Sequence, residues 1–210
     1  MADLPMIQTE RLMLRPFSPA DVPELTRLAG DRDVAGTTLL IPHPYLPRHA
    51  EEWISGHQAS FEARTGLPLA VTPRDRFTLI GAVGLKTDFE HARAELGFWV
   101  GKPFWGRGFA TEAAKALVAY GFEVMDLHRV YAHHYPHNPA SGRVLEKIGM
   151  VHEGRLRQHV RHWGVFEDLM HYGMIRSDGA WRTDESDSVR ATGSVVVTTH
   201  TTDVLARQDT

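Results

Sequence analysis

The chain has 210 residues, 42% hydrophobic and 23% charged, enough apolar material to bury a sizeable core. A formal net charge of −3 gives no electrostatic footprint for nucleic acid or for an anionic membrane surface. Cysteine is absent, which excludes disulfides, thiolate nucleophiles and cysteine-based zinc sites and fits a cytoplasmic protein.

The opening "MADLPMIQTE" is neither basic nor apolar enough for a signal peptide, and no apolar run reaches the length of a membrane span. Arg11 to Phe17, "RLMLRPF", alternates polar and apolar residues and reads as a first strand. "SPADVPELTRLAG" then reads as a helix, with Ser18 at the N-cap, a proline in the first turn, Asp21 three residues on and Gly30 at the end. A proline-punctuated loop, "IPHPYLP", leads to a second helix over "RHAEEWISGHQASFEAR". "LPLAVTP" and "RFTLIGAVGL" read as a hairpin, and Arg93 to Val100 as a further strand. After a glycine turn, a helix is expected from about Gly108 to Met125. "HRVYAHHY" is a strand, "NPASGRVLEKIG" a capped helix closed by Gly149, and two last strands turn at Gly164. Strands thus stand on both sides of two helices in one continuous domain, 1–182, of mixed α and β type. From Thr183 the composition shifts to Ser, Thr, Asp and Val without helical period. The segment 183–210 is expected to be a mostly disordered tail, its β-prone "SVVVTTH" suited to a sheet edge of this molecule or a neighbour.

The stretch "GFWVGKPFWGRGFATEAAKAL" (Gly97 to Leu117) passes from an aromatic strand through Gly106 and Gly108 directly into a helix. The first turn of a helix leaves backbone N–H groups without partners and carries partial positive charge, and glycines let an anion approach the backbone closely. Arg107 adds a positive charge beside them. The letters do not fit a Walker-type loop, since no lysine follows the glycines. Nor do they fit a dinucleotide fingerprint, since Thr111 stands at the third glycine's place. A plain strand-to-helix turn, with Glu112 helping to cap the helix, is the competing reading. Among the 13 histidines, "HHYPH" suggests a metal, but a strand puts His133 and His134 on opposite faces, and no HExxH spacing exists. No metal is therefore expected.

Further motifs decide between these readings. Trp105 to Ala110 is similar to the pyrophosphate loop of the GNAT N-acetyltransferase superfamily, Q/R-x-x-G-x-G/A, with Gly108 and Ala110 in the last two slots and Trp105 in place of Gln or Arg. "TERLMLRPFSPAD", "ELGFWVGKPFWGRGFATEA", "LHRVYA", "NPASGRVLEKIGMVHEGRLR" and "FEDLMHYGMI" together resemble the RimJ/RimL-type branch. The resemblance implies an α+β fold with a mostly antiparallel central sheet, splayed in the middle and flanked by helices. It also implies acetyl-CoA as donor, held between the strand ending at Val100 and "HRVYAHHY". Phe98, Trp99 and Val100 would pair with the pantetheine amides like an added strand. Trp105, Gly106, Arg107, Gly108, Phe109, Ala110 and Thr111 would cradle the pyrophosphate, with Asn138 and Ser141 near the pantetheine and the sulfur.

The implied activity is acetyl transfer to a primary amine, either a protein N-terminus or a small molecule. Without cysteine no cysteinyl acyl-enzyme can form, so direct transfer in a ternary complex is expected. Glu95 is the first candidate for the base, provided apolar burial or a like charge raises its pKa, and Ser141 is the first candidate to protonate the leaving thiolate. Tyr135 and Tyr172 are alternative acids. A backbone N–H near Trp99 or Val100 is the candidate oxyanion donor. Asp168 and His159 are further polar candidates, and His43 and Tyr45 could line an acceptor pocket. A non-catalytic acyl-CoA sensor or scaffold of the same fold is the alternative function. Among partners, a homodimer stays open.

Overall fold

The computed structural model describes residues 3–182 and 190–191. Its strands are β1 (Ile7–Gln8), β2 (Leu12–Arg15), β3 (Gly66–Pro73), β4 (Gly81–Asp88), β5 (Arg93–Val100), β6 (Arg129–His134), β7 (Val151–His162), β8 (Val165–Ile175) and the short β9 (Arg190–Ala191). The helices are α1 (Val22–Ala29), α2 (Arg32–Ala35), α3 (Pro47–Ser55), α4 (His57–Glu62), α5 (Phe109–Glu123) and α6 (Pro139–Lys147). All described strands join one sheet in the order β7-β8-β6-β5-β4-β3-β2-β1-β9. Every neighbouring pair is antiparallel except β5 and β6, which run parallel. A parallel pair needs a crossover, and α5 supplies it.

Alternation along β5 divides the core. Ala94, Leu96 and Phe98 face the cluster built on α5, together with Leu67, Leu69, Val71, Val83 and Leu85 of β3 and β4. Trp99 faces the other way and packs with Leu25 and Ala29 of α1 and Ala50 of α3. Helix α5 is alanine-rich and buried along most of its circumference, with Ala113, Ala114, Ala116, Leu117, Val118, Ala119 and Phe122 inside. Small side chains let it lie close to the sheet, and alanine has the highest helix propensity. α6 starts at Asn138, whose Oδ1 accepts the Ser141 N–H at 3.3 Å.

Some expected boundaries need correction. The helix expected over residues 48–64 is two, because Gly56 ends α3 and its N–H folds back to the Trp53 carbonyl at 3.3 Å. "RFTLI" is not strand: Arg76 sits in a turn bonded to the Pro73 carbonyl, Phe77 is exposed, and β4 begins at Gly81. The helix after Ser18 opens with a 3₁₀ turn, Pro19–Asp21, in which the Asp21 carboxylate accepts the Ser18 N–H at 2.8 Å. The "SVVVTTH" segment lies outside the described residues, as does most of the tail; within it, Arg190–Ala191 pairs with Ile7–Gln8. Among the described residues no helix is long and apolar enough to cross a membrane.

Leu117 is fully buried at the centre of the α5 contact with the sheet. Leu117→Ala is expected to cost about 2–5 kcal/mol, from lost apolar transfer and the cavity left behind. Chemical denaturation should show a lowered midpoint at unchanged slope.

Candidate functional site

The sheet forks where β5 and β6 part. Their pairing consists of Arg93↔Arg129, Ala94↔Val130 and Glu95↔Tyr131, and then stops. Beyond that point β5 continues beside β4 as far as Gly81↔Val100, while β6 stays with β8 as far as His134↔Met170. Leu96 to Val100 therefore have a strand on one edge only. Phe98 leans into the α5 side and Trp99 into the α1–α3 side, as their alternation requires. The Val100 carbonyl is held by Trp105, whose indole Nε1 donates to it at 2.5 Å.

At the open end of the fork, the chain enters α5 through Gly106 and Gly108, whose φ angles are +75° and +78°. Both lie in the left-handed region that residues with a Cβ avoid. Gly108 is the N-cap and gives no side-chain cap, and the first helical bond runs from Glu112 N–H to Gly108 carbonyl at 3.0 Å. The N–H groups of Phe109, Ala110 and Thr111 are left without partners among the described residues. Gly106, Arg107 and Gly108 are exposed. A rigid turn, free donors and the positive end of a fifteen-residue helix fit an anionic diphosphate.

Glu112 does not cap the helix. Its carboxylate reaches the start of the chain, accepting from Thr9 Oγ1 at 2.6 Å, Arg11 N–H at 2.8 Å and Arg11 Nε at 2.6 Å. Arg11 in turn donates from Nη1 to the Arg107 carbonyl at 3.0 Å and lies 5.0 Å from the Phe109 ring centroid. Arg11 thus fastens the glycine turn from outside, a role that sequence reasoning missed. The contact spans about a hundred residues, and no periodicity reports it.

Glu95 stands at the crotch of the fork, partly exposed, 3.2 Å from His133 Nδ1. The raised pKa on which a base role was made conditional is not what the surroundings produce. The hydrogen bond from His133 holds the carboxyl below the usual range, outweighing the burial that pushes it up. Asn138 spends its Oδ1 on the Ser141 N–H, while the Ser141 hydroxyl has no partner among the described residues and is half-buried. Tyr135 is buried, its hydroxyl unpartnered and pushed up by burial to about 12. Tyr172 donates to Glu146 at 3.3 Å. Asp168 is engaged by the Gln158 N–H at 2.6 Å and by Arg155. His159 stacks on His133 with ring centroids 6.4 Å apart. His43 leans on Trp163, and Tyr45 packs edge-on against His49, so both also serve to hold their loop. His134 turns away from His133 and is buried, its Nδ1 2.8 Å from the Tyr135 carbonyl.

Comparison with known proteins follows the same lines. The family described as acetyltransferase (GNAT) domain matches residues 11–151. The uncharacterized N-acetyltransferase YoaA of Bacillus subtilis is 30% identical over 173 residues, spanning 82% of this chain and 97% of that protein. A GNAT-family acetyltransferase structure from Bacillus anthracis superposes with a TM-score of 0.73 at 26% identity, covering 82% of this chain and 99% of that one. The structure of Mycobacterium smegmatis RimJ in complex with CoA-disulfide shares the fold, with a TM-score of 0.75 at 23% identity over 83% of this chain and 91% of that one.

Removing the Glu112 carboxylate releases Thr9 and Arg11 together. Glu112→Ala is expected to cost about 1.5–3 kcal/mol, the range for hydrogen bonds to a charged group. It should also speed amide hydrogen exchange at Arg11 and Leu12, whose N–H groups are held by Glu112 and by Thr9 Oγ1, while Leu117 and its neighbours stay protected.

Proposed function

Because the chain belongs to the acetyltransferase (GNAT) family, we propose that it moves the acetyl group of acetyl-CoA directly to a primary amine, donor and acceptor being bound together. The observation that carries this reading is the fork: a strand edge without a partner from Leu96 to Val100 opens beside the uncapped N-terminus of α5. An extended chain bearing two amides and ending in a diphosphate matches both features, the amides adding to the strand edge and the phosphates meeting the free N–H groups. The residues assigned to it are Phe98, Trp99 and Val100 along the edge, Trp105 to Thr111 at the phosphates, and Asn138 with Ser141 on the other bank.

In this reaction the amine nitrogen attacks the thioester carbon, and the carbonyl oxygen takes up charge facing the main-chain N–H of Val100, which points into the opening, whereas that of Trp99 is turned to β4. The C–S bond then breaks, and the Ser141 hydroxyl, free to turn toward the sulfur, passes it a proton while taking up, directly or through water, the proton that the attacking nitrogen sheds. Glu95, ionised near neutral pH, attracts an acceptor arriving as an ammonium ion and takes its proton, directly or through water. An α-amine, with a pKa of about 8, needs only a weak base of this kind. This suits an α-amine, at a peptide N-terminus or in a small molecule, better than an alkylamine such as a lysine side chain.

Calorimetric titration with acetyl-CoA tests the donor site. Gly108→Glu is expected to weaken binding about 100-fold or more, since like charges facing each other cost several kcal/mol. Ala110→Glu places the same charge on the first helical turn without a left-handed φ, and serves if Gly108→Glu does not fold. Wild-type protein that does not bind acetyl-CoA would overturn the proposal.

With the donor site established, thiol release on presenting spermidine and short peptides with free N-termini reads the acceptor class. Ser141→Ala should lower kcat about 10- to 100-fold, with the dissociation constant of acetyl-CoA unchanged. An unchanged kcat would remove Ser141 from the mechanism.

A further inference from the structure

A row of side chains crosses the solvent face of β5, β6, β8 and β7. His133 Nδ1 lies 3.2 Å from Glu95 Oε1, and His133 Nε2 lies 2.8 Å from His171 Nδ1. His171 Nε2 has two neighbours, Arg129 Nη2 at 3.4 Å and Glu153 Oε2 at 3.2 Å. Arg129 and Glu153 are themselves joined by two bonds, Nη1 to Oε1 at 2.9 Å and Nη2 to Oε2. Two local features make room for this. Glu153 is the extra residue of a β-bulge between His152↔Tyr172 and Gly154↔His171, a device that re-aims a side chain. Gly173 lies beneath the pair, where a Cβ would come within 2.5 Å of Arg129 Nη2 and 2.6 Å of Glu153 Oε1.

The directions of the bonds follow from counting protons. An ionised Glu95 only accepts, so His133 Nδ1 carries hydrogen, and in the neutral ring His133 Nε2 is then the acceptor. The 2.8 Å contact then requires hydrogen on His171 Nδ1. That leaves His171 Nε2 free to be a lone pair facing Arg129 or an N–H facing Glu153. Both states leave every group satisfied, and they differ by one proton exchanged with solvent at a single atom.

We infer that Arg129, His171 and His133 form a directed hydrogen-bond chain ending on Glu95, which makes the two histidines positioning residues for the carboxylate at the fork. This rests on the proposed role of Glu95 in acetyl transfer. The chain fixes one oxygen of Glu95 and leaves the other for the acceptor. It also joins the two strands across the opening just where their backbone pairing ends. Besides its hydrogen bond to Glu95, His133 is faced by Tyr131 from its own strand, His171 from β8 and His159 from β7. His171 is faced by Tyr131, Arg129 and Glu153, and Lys86 on β4 adds its charge at Glu95. Burial keeps His171 below the ordinary histidine range, so near neutral pH the chain rests in its Arg129-facing state.

Nuclear magnetic resonance on the full chain with labelled imidazoles and carboxyls tests the inference without any acceptor. The wild type should show ¹⁵N–¹⁵N coupling between His133 and His171, and Glu95 should titrate below the usual carboxylate range. His133→Phe should raise the Glu95 midpoint by about one pH unit or more, since the charge-stabilising bond is gone and burial remains. His133→Asn, which keeps a donor near the Nδ1 position, should hold the midpoint low. Glu153→Gln should lower the His171 midpoint.

Absent coupling, or a Glu95 midpoint that His133→Phe does not move, overturns the chain. Acetyl-CoA calorimetry separates the two readings: binding with an unmoved Glu95 sinks the chain alone, and an intact chain without acetyl-CoA binding sinks the transferase alone.

Discussion

The fold turns on one seam, the three residue pairs by which β5 and β6 are joined. Backbone N–H and C=O groups that lose their partners inside a protein must find others. β5 keeps β4, β6 keeps β8, and the two edges facing the wedge have no partner strand among the described residues. Parallel pairing is weaker per residue than the antiparallel pairing on either side, so the sheet opens there rather than elsewhere. The crossover helix that a parallel pair demands then starts at the mouth of the opening. A strand edge and a helix N-terminus are thus brought together by topology, before any side chain acts.

Side chains sharpen what topology supplies. Trp105 satisfies the Val100 carbonyl where β5 ends, and Arg11, braced by Glu112, holds the glycine turn by the Arg107 carbonyl. On the far bank Asn138 starts α6 and thereby fixes the backbone that carries Ser141. The positions read as binding residues are therefore also structural residues. No side chain caps α5, so the N–H groups of its first turn stay free donors among the described residues.

Local chemistry was readable in the letters, and distant pairing was not. The bounds of β5 coincide with the alternation from Arg93 to Val100, and the start of α5 with its glycines, because period and turn residues are short-range signals. "RFTLI" misled because Leu79 and Ile80 are buried by a loop rather than by a strand. Gly56 was passed over because one glycine inside an amphipathic pattern is often tolerated. The opposite faces of His133 and His134 followed from strand geometry. That His133 meets Glu95 did not, since it depends on the register of two strands separated by a whole helix. The direction of the Glu95 pKa stayed open for the same reason, since a histidine at 3.2 Å was not legible.

The alternation along β5 separates two tasks that a transferase must adjust independently. Phe98 and its neighbours face the helix that closes the donor side, while Glu95, Gly97 and Trp99 look onto the face carrying α1, α3 and their connecting loop. On the proposed function, substitutions in that loop would reshape the acceptor's surroundings without touching the backbone assigned to the donor. A lineage built on this strand could then change its acceptor while keeping its donor, since the two faces of one pleated ribbon pack against different elements.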